Sequence, residues 1–218
     1  TYSCINCVRT QPYLNEWYNK YHDDGLVIVG VHAPEFTFEK DPKNVERAVE
    51  EAGIKYPVAL DNDFATWNAY KNKYWPAKYL IDAQGNVQYT HFGEGEYEDT
   101  EKAIQQLLDV RQPVSTVDNG LAAGVGQSPE TYLGTQRARN FQGDHPLRSG
   151  TGEYDAAGEL DSDEWTLGGN WDVQDEKITA DKSGATLTYV FDGAEMYLVM
   201  SGRTGATVHV SVEGEPDA

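Results

Sequence analysis

The 218-residue sequence has little sulfur and little positive charge: 2 cysteines, 2 methionines, and 17 lysines plus arginines against 36 aspartates plus glutamates. Two cysteines are too few for a disulfide-dense secreted module. The formal net charge of −19 opposes a nucleic-acid partner, because phosphate recognition needs a basic face. The longest apolar runs, such as 26–31, are far shorter than the roughly 20 residues of a membrane-spanning helix. The sequence therefore excludes a disulfide-dense module, a nucleic-acid-binding protein and a membrane-spanning segment.

The residues that build a core are nevertheless abundant. The sequence is 39% hydrophobic and contains 5 tryptophans and 14 tyrosines, as in a globular protein. Both cysteines but only six of the 21 glycines lie in residues 1–110, and this change in composition indicates two regions. We predict a first domain at 1–112, a linker rich in Pro, Ser and Gly at 113–129, and a second domain at 130–218.

In the first predicted domain, strand patterns alternate with helix patterns. The run at 26–32 is apolar and β-branched, as in a strand buried on both faces, and Asp63 is a candidate cap for a later helix. The predicted elements are strands at 26–32 and 57–60, helices at 44–52 and 63–74, a hairpin of strands at 78–81 and 87–92, and a helix at 98–110. This order predicts an α/β domain.

The second predicted domain has the pattern of an all-β structure. Apolar and polar residues alternate at 187–192, 196–201 and 208–212, with glycine-containing turns between them. Short strands at regular spacing favour a β-sandwich of the jelly-roll type.

Cys4 and Cys7 form a Cys-x-x-Cys motif directly ahead of a helical pattern. Because a helix N-terminus stabilises a thiolate, we expect Cys4 to be the exposed attacking sulfur and Cys7 to resolve the mixed disulfide. A purely structural disulfide at this short spacing would constrain the unfolded chain little. A zinc site would need a second ligand pair, which the histidines do not supply. The motif predicts a redox-active disulfide that works without a metal or other cofactor.

Two prolines support this interpretation by their positions. Pro12 follows Cys7 by five residues, and Trp75-Pro76 stands directly before a predicted strand. Together with the dithiol they resemble the thioredoxin superfamily, in which a helix-kinking proline and a cis-proline accompany Cys-x-x-Cys. More specifically, the sequence resembles the TlpA-like domain of the DipZ family and the β-domain that follows it. The similar motifs are YSCINCVR (2–9), GVHAPEF (30–36), YWPAKYLID (74–82), GEG (93–95), PETYLG (129–134) and LGGNW (167–171).

This resemblance implies a function and a setting. DipZ proteins join a CcdA-like membrane part to an extracytoplasmic thioredoxin-like domain and a β-domain similar to carbohydrate-binding modules. The resemblance therefore implies an extracytoplasmic thiol–disulfide oxidoreductase, membrane-tethered in the full-length protein. It would act on disulfide-containing proteins and be re-reduced by a CcdA-like electron donor. It also implies that Pro76 is cis and that Trp75 beside it positions the substrate chain.

The sequence departs from the family pattern in three ways. No strand leads into Cys4, and the last predicted strand, 208–212, runs almost to the C-terminus. We therefore expect the first thioredoxin strand to be missing and the chain to be a piece of a longer protein. Thr10 stands where some TlpA-like reductases carry a glutamate, which leaves Glu35 as a candidate for handling protons. An exposed loop carboxylate fits the sequence at Glu35 at least as well.

Other functions fit parts of the sequence. Thr1 and Cys4 have the Thr-x-x-Cys spacing of thiol peroxidases, although Cys7 favours a dithiol couple. Alternatively, the thioredoxin fold is a scaffold without redox turnover, and the β-domain binds glycan or a protein partner. Trp165 and Trp171 could form a glycan platform, but aromatic residues of a small sandwich are more often core.

An acidic cluster at 161–164 could bind calcium through Asp161, Asp163 and Glu164. In so acidic a chain we expect a solvated surface there instead.

Overall fold

A computed structural model describes residues 1–117, 128–202 and 205–212. In the first half, the elements are α1 (Ile5–Tyr21), β1 (Gly30–His32), a 3₁₀ helix (Thr37–Lys40), α2 (Pro42–Glu51), β2 (Val58–Leu60), α3 (Ala65–Ala69), β3 (Ala77–Ile81), β4 (Val87–Phe92) and α4 (Tyr97–Leu108). The second half contains β5 (Gly150–Tyr154), β6 (Trp165–Val173), β7 (Ile178–Ala180) and β8 (Thr186–Tyr189). None of the described helices is long and apolar enough to cross a membrane.

Two strand pairs and four α-helices make up the first half. β1 and β2 are parallel, whereas β3 and β4 form the predicted antiparallel hairpin. Trp17 and Tyr21 of α1 are almost completely buried and pack in one cluster with Ile104 of α4. Burial of such large side chains is the main stabilising term at a helix–helix contact. This alternation of strands and helices is the predicted α/β class.

A buried carboxylate ties α1 to α4 and to the segment that follows α4. Glu101 is 1% exposed and accepts hydrogen bonds from the indole N–H of Trp17, the ammonium of Lys20 and the hydroxyl of Tyr21. The backbone N–H of Ser115 donates to the same carboxylate at 2.8 Å. Burial alone raises the pKa of Glu101, but these donors bring it below its usual range. Glu101 is therefore an ionised, fully partnered anchor.

The strand predicted at 26–32 is shorter in the structure. It is limited to Gly30–His32, and the side chains of Val27 and Val29 are exposed. No described strand pairs with residues 26–29, so the apolar pattern there does not produce a buried strand.

The predicted helix at 63–74 is limited to Ala65–Ala69, and Asp63 does not cap it. The carboxylate of Asp61 accepts hydrogen bonds from the backbone N–H groups of Thr66 and Trp67 at 2.9 and 2.8 Å. Asp61 therefore accepts hydrogen bonds from free backbone donors at the N-terminus of α3, and the prediction that Asp63 is the cap is wrong.

In the second half, β6 is the centre of a four-stranded sheet. Its two edges pair antiparallel with β5 on one side and with β8 and then β7 on the other. Gly169 lies in β6 at φ +83°, and an added Cβ would come within 3.2 Å of the Ala185 backbone, so the position requires glycine. The buried core consists of Tyr154, Trp165, Leu167, Trp171 and Val173. The sheet-rich prediction is confirmed, and the jelly-roll arrangement stays a prediction.

Two strands predicted near the C-terminus are not strands in the structure. The described residues of 196–201 and 208–212 pair with no described strand, and Met196 and Val210 are 47% and 70% exposed. Alternation alone does not bury a strand that has no hydrogen-bonded neighbour. Of the predicted linker 113–129, residues 118–127 lie outside the described residues, and the domain boundaries stay a prediction.

Candidate active site

The dithiol lies at the beginning of α1. Cys4 is the N-cap residue with extended backbone, and Cys7 follows in the first helical turn, with both cysteines in the free thiol form. The Cys4 carbonyl accepts the first helical hydrogen bond, from Val8 N–H at 3.0 Å. Cys4 is only 6% exposed, so the prediction of an exposed sulfur is wrong. Its small exposed part nevertheless lines a cleft, which Cys7 does not.

The two thiols share a hydrogen bond that separates their acidities. This bond lowers the pKa of Cys7 from 9.0 to about 7, and the same bond together with burial raises the pKa of Cys4. The backbone nitrogen of Thr1 also donates to Cys7 Sγ at 3.4 Å. The pair therefore loses one proton near neutral pH and holds the second.

Trp75 and Pro76 stand beside this dithiol, between α3 and β3. The peptide bond between them is cis, as the resemblance implies. The indole N–H of Trp75 donates to the Ala33 carbonyl at 3.1 Å, and its ring lies 4.3 Å from that of Trp67. These contacts fix the Trp75 side chain, and the residue lines the cleft together with Cys4.

Both halves of the chain contribute to the cleft, which has a volume of about 670 Å³. The first half supplies Cys4, Asn6, Glu35, Lys73, Tyr74, Trp75, Phe92 and Gly93, and the second half supplies Glu130, Tyr132 and Arg137. The sequence analysis identified Cys4, Glu35 and Trp75 in this set. It missed the three residues of the second half because no local pattern relates them to a dithiol so far away along the chain.

Glu35 links the two halves at the cleft wall. Its side chain is 8% exposed, forms an ion pair with Arg137 at 2.8 Å, and accepts a hydrogen bond from Tyr132 at 2.6 Å. The Arg137 guanidinium also lies 3.7 Å from the centre of the Tyr132 ring, within cation–π range. We call these three residues the Glu35 clasp. Glu35 is therefore held on the cleft wall by two side chains of the second half.

A second buried carboxylate near the dithiol was also missed by the sequence analysis. Glu39 is 0% exposed and lies in the 3₁₀ helix after β1. Thr10, in contrast, is buried with its hydroxyl donating to the Asn6 carbonyl at 3.0 Å, which leaves no acid at that position of α1.

Trp165 and Trp171 do not form a platform at the surface. They are 0% and 8% exposed, and their indole N–H groups donate to the carbonyls of Arg139 and Gly168. Both tryptophans belong to the core, the arrangement that the sequence analysis favoured over a glycan platform.

The acidic cluster does not form a metal site. In the cluster, Glu164 accepts hydrogen bonds from Asp161 N–H and from Gln142. Among the described residues, no group of three or more His, Cys, Asp or Glu side chains is arranged to hold a metal ion.

The fold and the dithiol define a thioredoxin-like protein of the thiol–disulfide oxidoreductase class. Residues 1–108 match the Redoxin family model, and residues 128–218 match the family described as thioredoxin like C-terminal domain. The chain is 40% identical over 222 residues to Protein DipZ of Mycobacterium bovis, covering 99% of this chain and 32% of DipZ. The chain belongs to the DipZ-like family of TlpA-type thioredoxin regions, and the predicted family is confirmed. It spans about a third of the length of the DipZ proteins it matches.

Other relatives match the first half. The thiol-disulfide oxidoreductase YkuV of Bacillus subtilis is 32% identical over 106 residues, covering 49% of this chain and 71% of YkuV. A solution structure of a thioredoxin-like protein in the oxidized form is 31% identical, with a TM-score of 0.46 over 50% of this chain and 74% of that chain.

Proposed function

We propose that this chain is the extracytoplasmic part of a thiol–disulfide oxidoreductase in which Cys4 attacks substrate disulfides and Cys7 resolves the mixed disulfide. The observation that carries this proposal is the placement of Cys4 in the cleft wall, with Cys7 three residues on in the first turn of α1. The DipZ relationship supports the extracytoplasmic location, the membrane tether in the full-length protein and a CcdA-like electron donor.

The chemistry needs only the two sulfurs. As Cys4 attacks one sulfur of a substrate disulfide, its proton passes to the Cys7 thiolate across their hydrogen bond, and the other substrate sulfur leaves as a thiolate that takes a proton from water. Cys7, once deprotonated again, attacks Cys4 and releases the second substrate thiolate. The substrate gains two electrons and the Cys4–Cys7 disulfide forms. A membrane donor returns two electrons and two protons to the pair.

In this proposal, the cleft binds the substrate chain and so selects the substrate. The backbone beside the cis Trp75–Pro76 bond offers an extended edge along which a substrate chain can lie. Around Cys4, the aromatic rings of Tyr74, Phe92 and Tyr132 provide apolar contact area. This lining suits a disulfide carried on an extended polypeptide segment.

The direct test is turnover of a disulfide-containing protein by single-cysteine variants. We expect Cys4→Ser to abolish reduction and Cys7→Ser to accumulate a mixed disulfide through Cys4, detected by mass spectrometry. Val8→Ala is the matched control, because Val8 neighbours the dithiol and its side chain is exposed. Wild-type turnover by Cys4→Ser would contradict the proposal.

A redox titration of the Cys4–Cys7 pair against glutathione identifies the direction of electron flow. A potential near about −270 mV indicates a reductase, and one near about −120 mV an oxidase.

The competing functions have less support. The Thr1 hydroxyl donates to Glu39, whereas a peroxidase would use it beside the attacking sulfur. Burial of Trp165 and Trp171 removes the aromatic platform on which the glycan-binding scaffold depended. Glycan binding that persists without both cysteines, together with no dithiol turnover, would favour the scaffold.

A further inference from the structure

Glu39 connects the segment before the dithiol to the loop after β1. Its Oε1 atom accepts hydrogen bonds from the hydroxyls of Thr1 and Ser3, at 2.6 Å for Ser3, and from Ser3 N–H at 3.3 Å. Its Oε2 atom accepts from the N–H groups of Glu35 and Phe36 at 2.6 and 3.0 Å. One carboxylate therefore bonds both to Ser3, directly before Cys4, and to the backbone of Glu35, which belongs to the Glu35 clasp.

No cation neutralises this carboxylate among the described residues. The ion pairs of the described chain do not include Glu39, and its five partners are hydroxyl and backbone N–H groups. Burial alone raises the pKa of Glu39, but the donors, Ser3 first, bring it below its usual range. Its negative charge therefore persists at neutral pH within the protein.

The titratable groups facing Glu39 do not cancel that charge. His32 of β1 contacts the Thr1 hydroxyl through Nε2 at 3.2 Å, and burial lowers the pKa of His32, which keeps the ring neutral. Tyr2 stacks on His32 at 5.5 Å, and burial raises its pKa, so it is neutral too. Arg47 of α2 and Asp41, the residue before α2, act on Tyr2 with opposite signs. The Thr1 backbone nitrogen faces Cys7.

We propose that Glu39 is a positioning residue for the dithiol: its buried carboxylate fixes the backbone entering Cys4, and its charge limits how much of the pair is ionised. Thr1 bonds to Glu39 through its hydroxyl and to Cys7 Sγ through its backbone nitrogen, so a single residue bridges the carboxylate and the dithiol. A nearby anion disfavours a thiolate, and a less ionised dithiol is a stronger reductant. This inference rests on the proposed function, and it names Glu39 as the residue that limits the ionisation of the dithiol.

The pH profile of iodoacetamide alkylation tests this role without a substrate. Glu39→Gln is expected to shift the midpoint to lower pH and to speed alkylation below the midpoint about fivefold, as expected for removal of a nearby buried charge. Glu39→Asp keeps the charge and is expected to restore the wild-type profile within about twofold.

Glu101→Gln is the matched control, because it removes another buried carboxylate, 1% exposed, that belongs to α4. It is expected to lower stability with no change in the alkylation midpoint. An unchanged midpoint in a folded Glu39→Gln, or an equal shift in Glu101→Gln, would overturn the inference.

Ser3→Ala serves if Glu39→Gln does not fold. It removes one donor and leaves the carboxylate less compensated, so alkylation is expected to slow about twofold. Unchanged or faster alkylation would overturn the inference. Wild-type turnover is measured in parallel: its absence would refute the proposed function, whereas normal turnover with an unshifted Glu39→Gln would refute the role of Glu39 alone.

Discussion

The hydrogen bond between the two thiols makes a quantitative prediction about Cys7. This bond is the largest cause of the lowered Cys7 pKa, from 9.0 to about 7. Cys4→Ala removes the donor, and the alkylation midpoint of Cys7 is expected to rise toward 9.0. At about pH 7 the ionised fraction then falls from about one half to about one hundredth, or about fiftyfold. A thiolate of higher pKa is about eightfold more nucleophilic over that range, so the net rate falls only about sixfold.

Because the two effects partly cancel in the rate, the midpoint of the pH profile is the measurement to make. Alkylation is followed by mass spectrometry, which identifies the modified cysteine. Cys4→Ser is the matched variant, since its hydroxyl can still donate to Cys7, and its midpoint is expected between those of wild type and Cys4→Ala. A Cys4→Ala midpoint equal to that of wild type would refute the assignment of the acidity to this hydrogen bond.

Three further predictions concern stability, each measured by urea unfolding. Arg137→Met leaves the buried Glu35 carboxylate without its cation and is expected to cost about 2 kcal/mol; in a double-mutant cycle with Glu35→Gln, strict additivity would argue against the clasp. Trp165→Ala opens a cavity in the core of the second half and is expected to cost about 3–5 kcal/mol, with loss of β-sheet circular dichroism. Asp61→Asn keeps a cap and is expected to cost less than Asp61→Ala, which should lose about 1 kcal/mol; equal losses would reject capping as the role.

Local patterns predicted those parts of the fold whose partners are close in sequence. The hairpin formed by Ala77–Ile81 and Val87–Phe92 needs only a turn and two alternating runs, and both were predicted within one residue. The helix at Tyr97–Leu108 follows from its apolar spacing. The dithiol was identified because two cysteines at this spacing form a local motif.

The rest depends on partners distant in sequence. The bond between Glu35 and Arg137 spans 102 residues, and no periodicity relates the two positions. Nothing in the sequence distinguishes Glu39 among the 36 aspartates and glutamates. Only the fold shows that it is buried and bonded to Ser3. The strand predicted at 196–201 failed for the same reason, because pairing requires a neighbour that the alternation itself does not provide.

The Glu101 anchor has a mechanical consequence. The carboxylate holds α1 through Trp17 and Tyr21 and holds the chain leaving α4 through Ser115. A pull on the second half that travels along the covalent chain is therefore transmitted at Ser115 to α1, the helix whose first turn carries the dithiol.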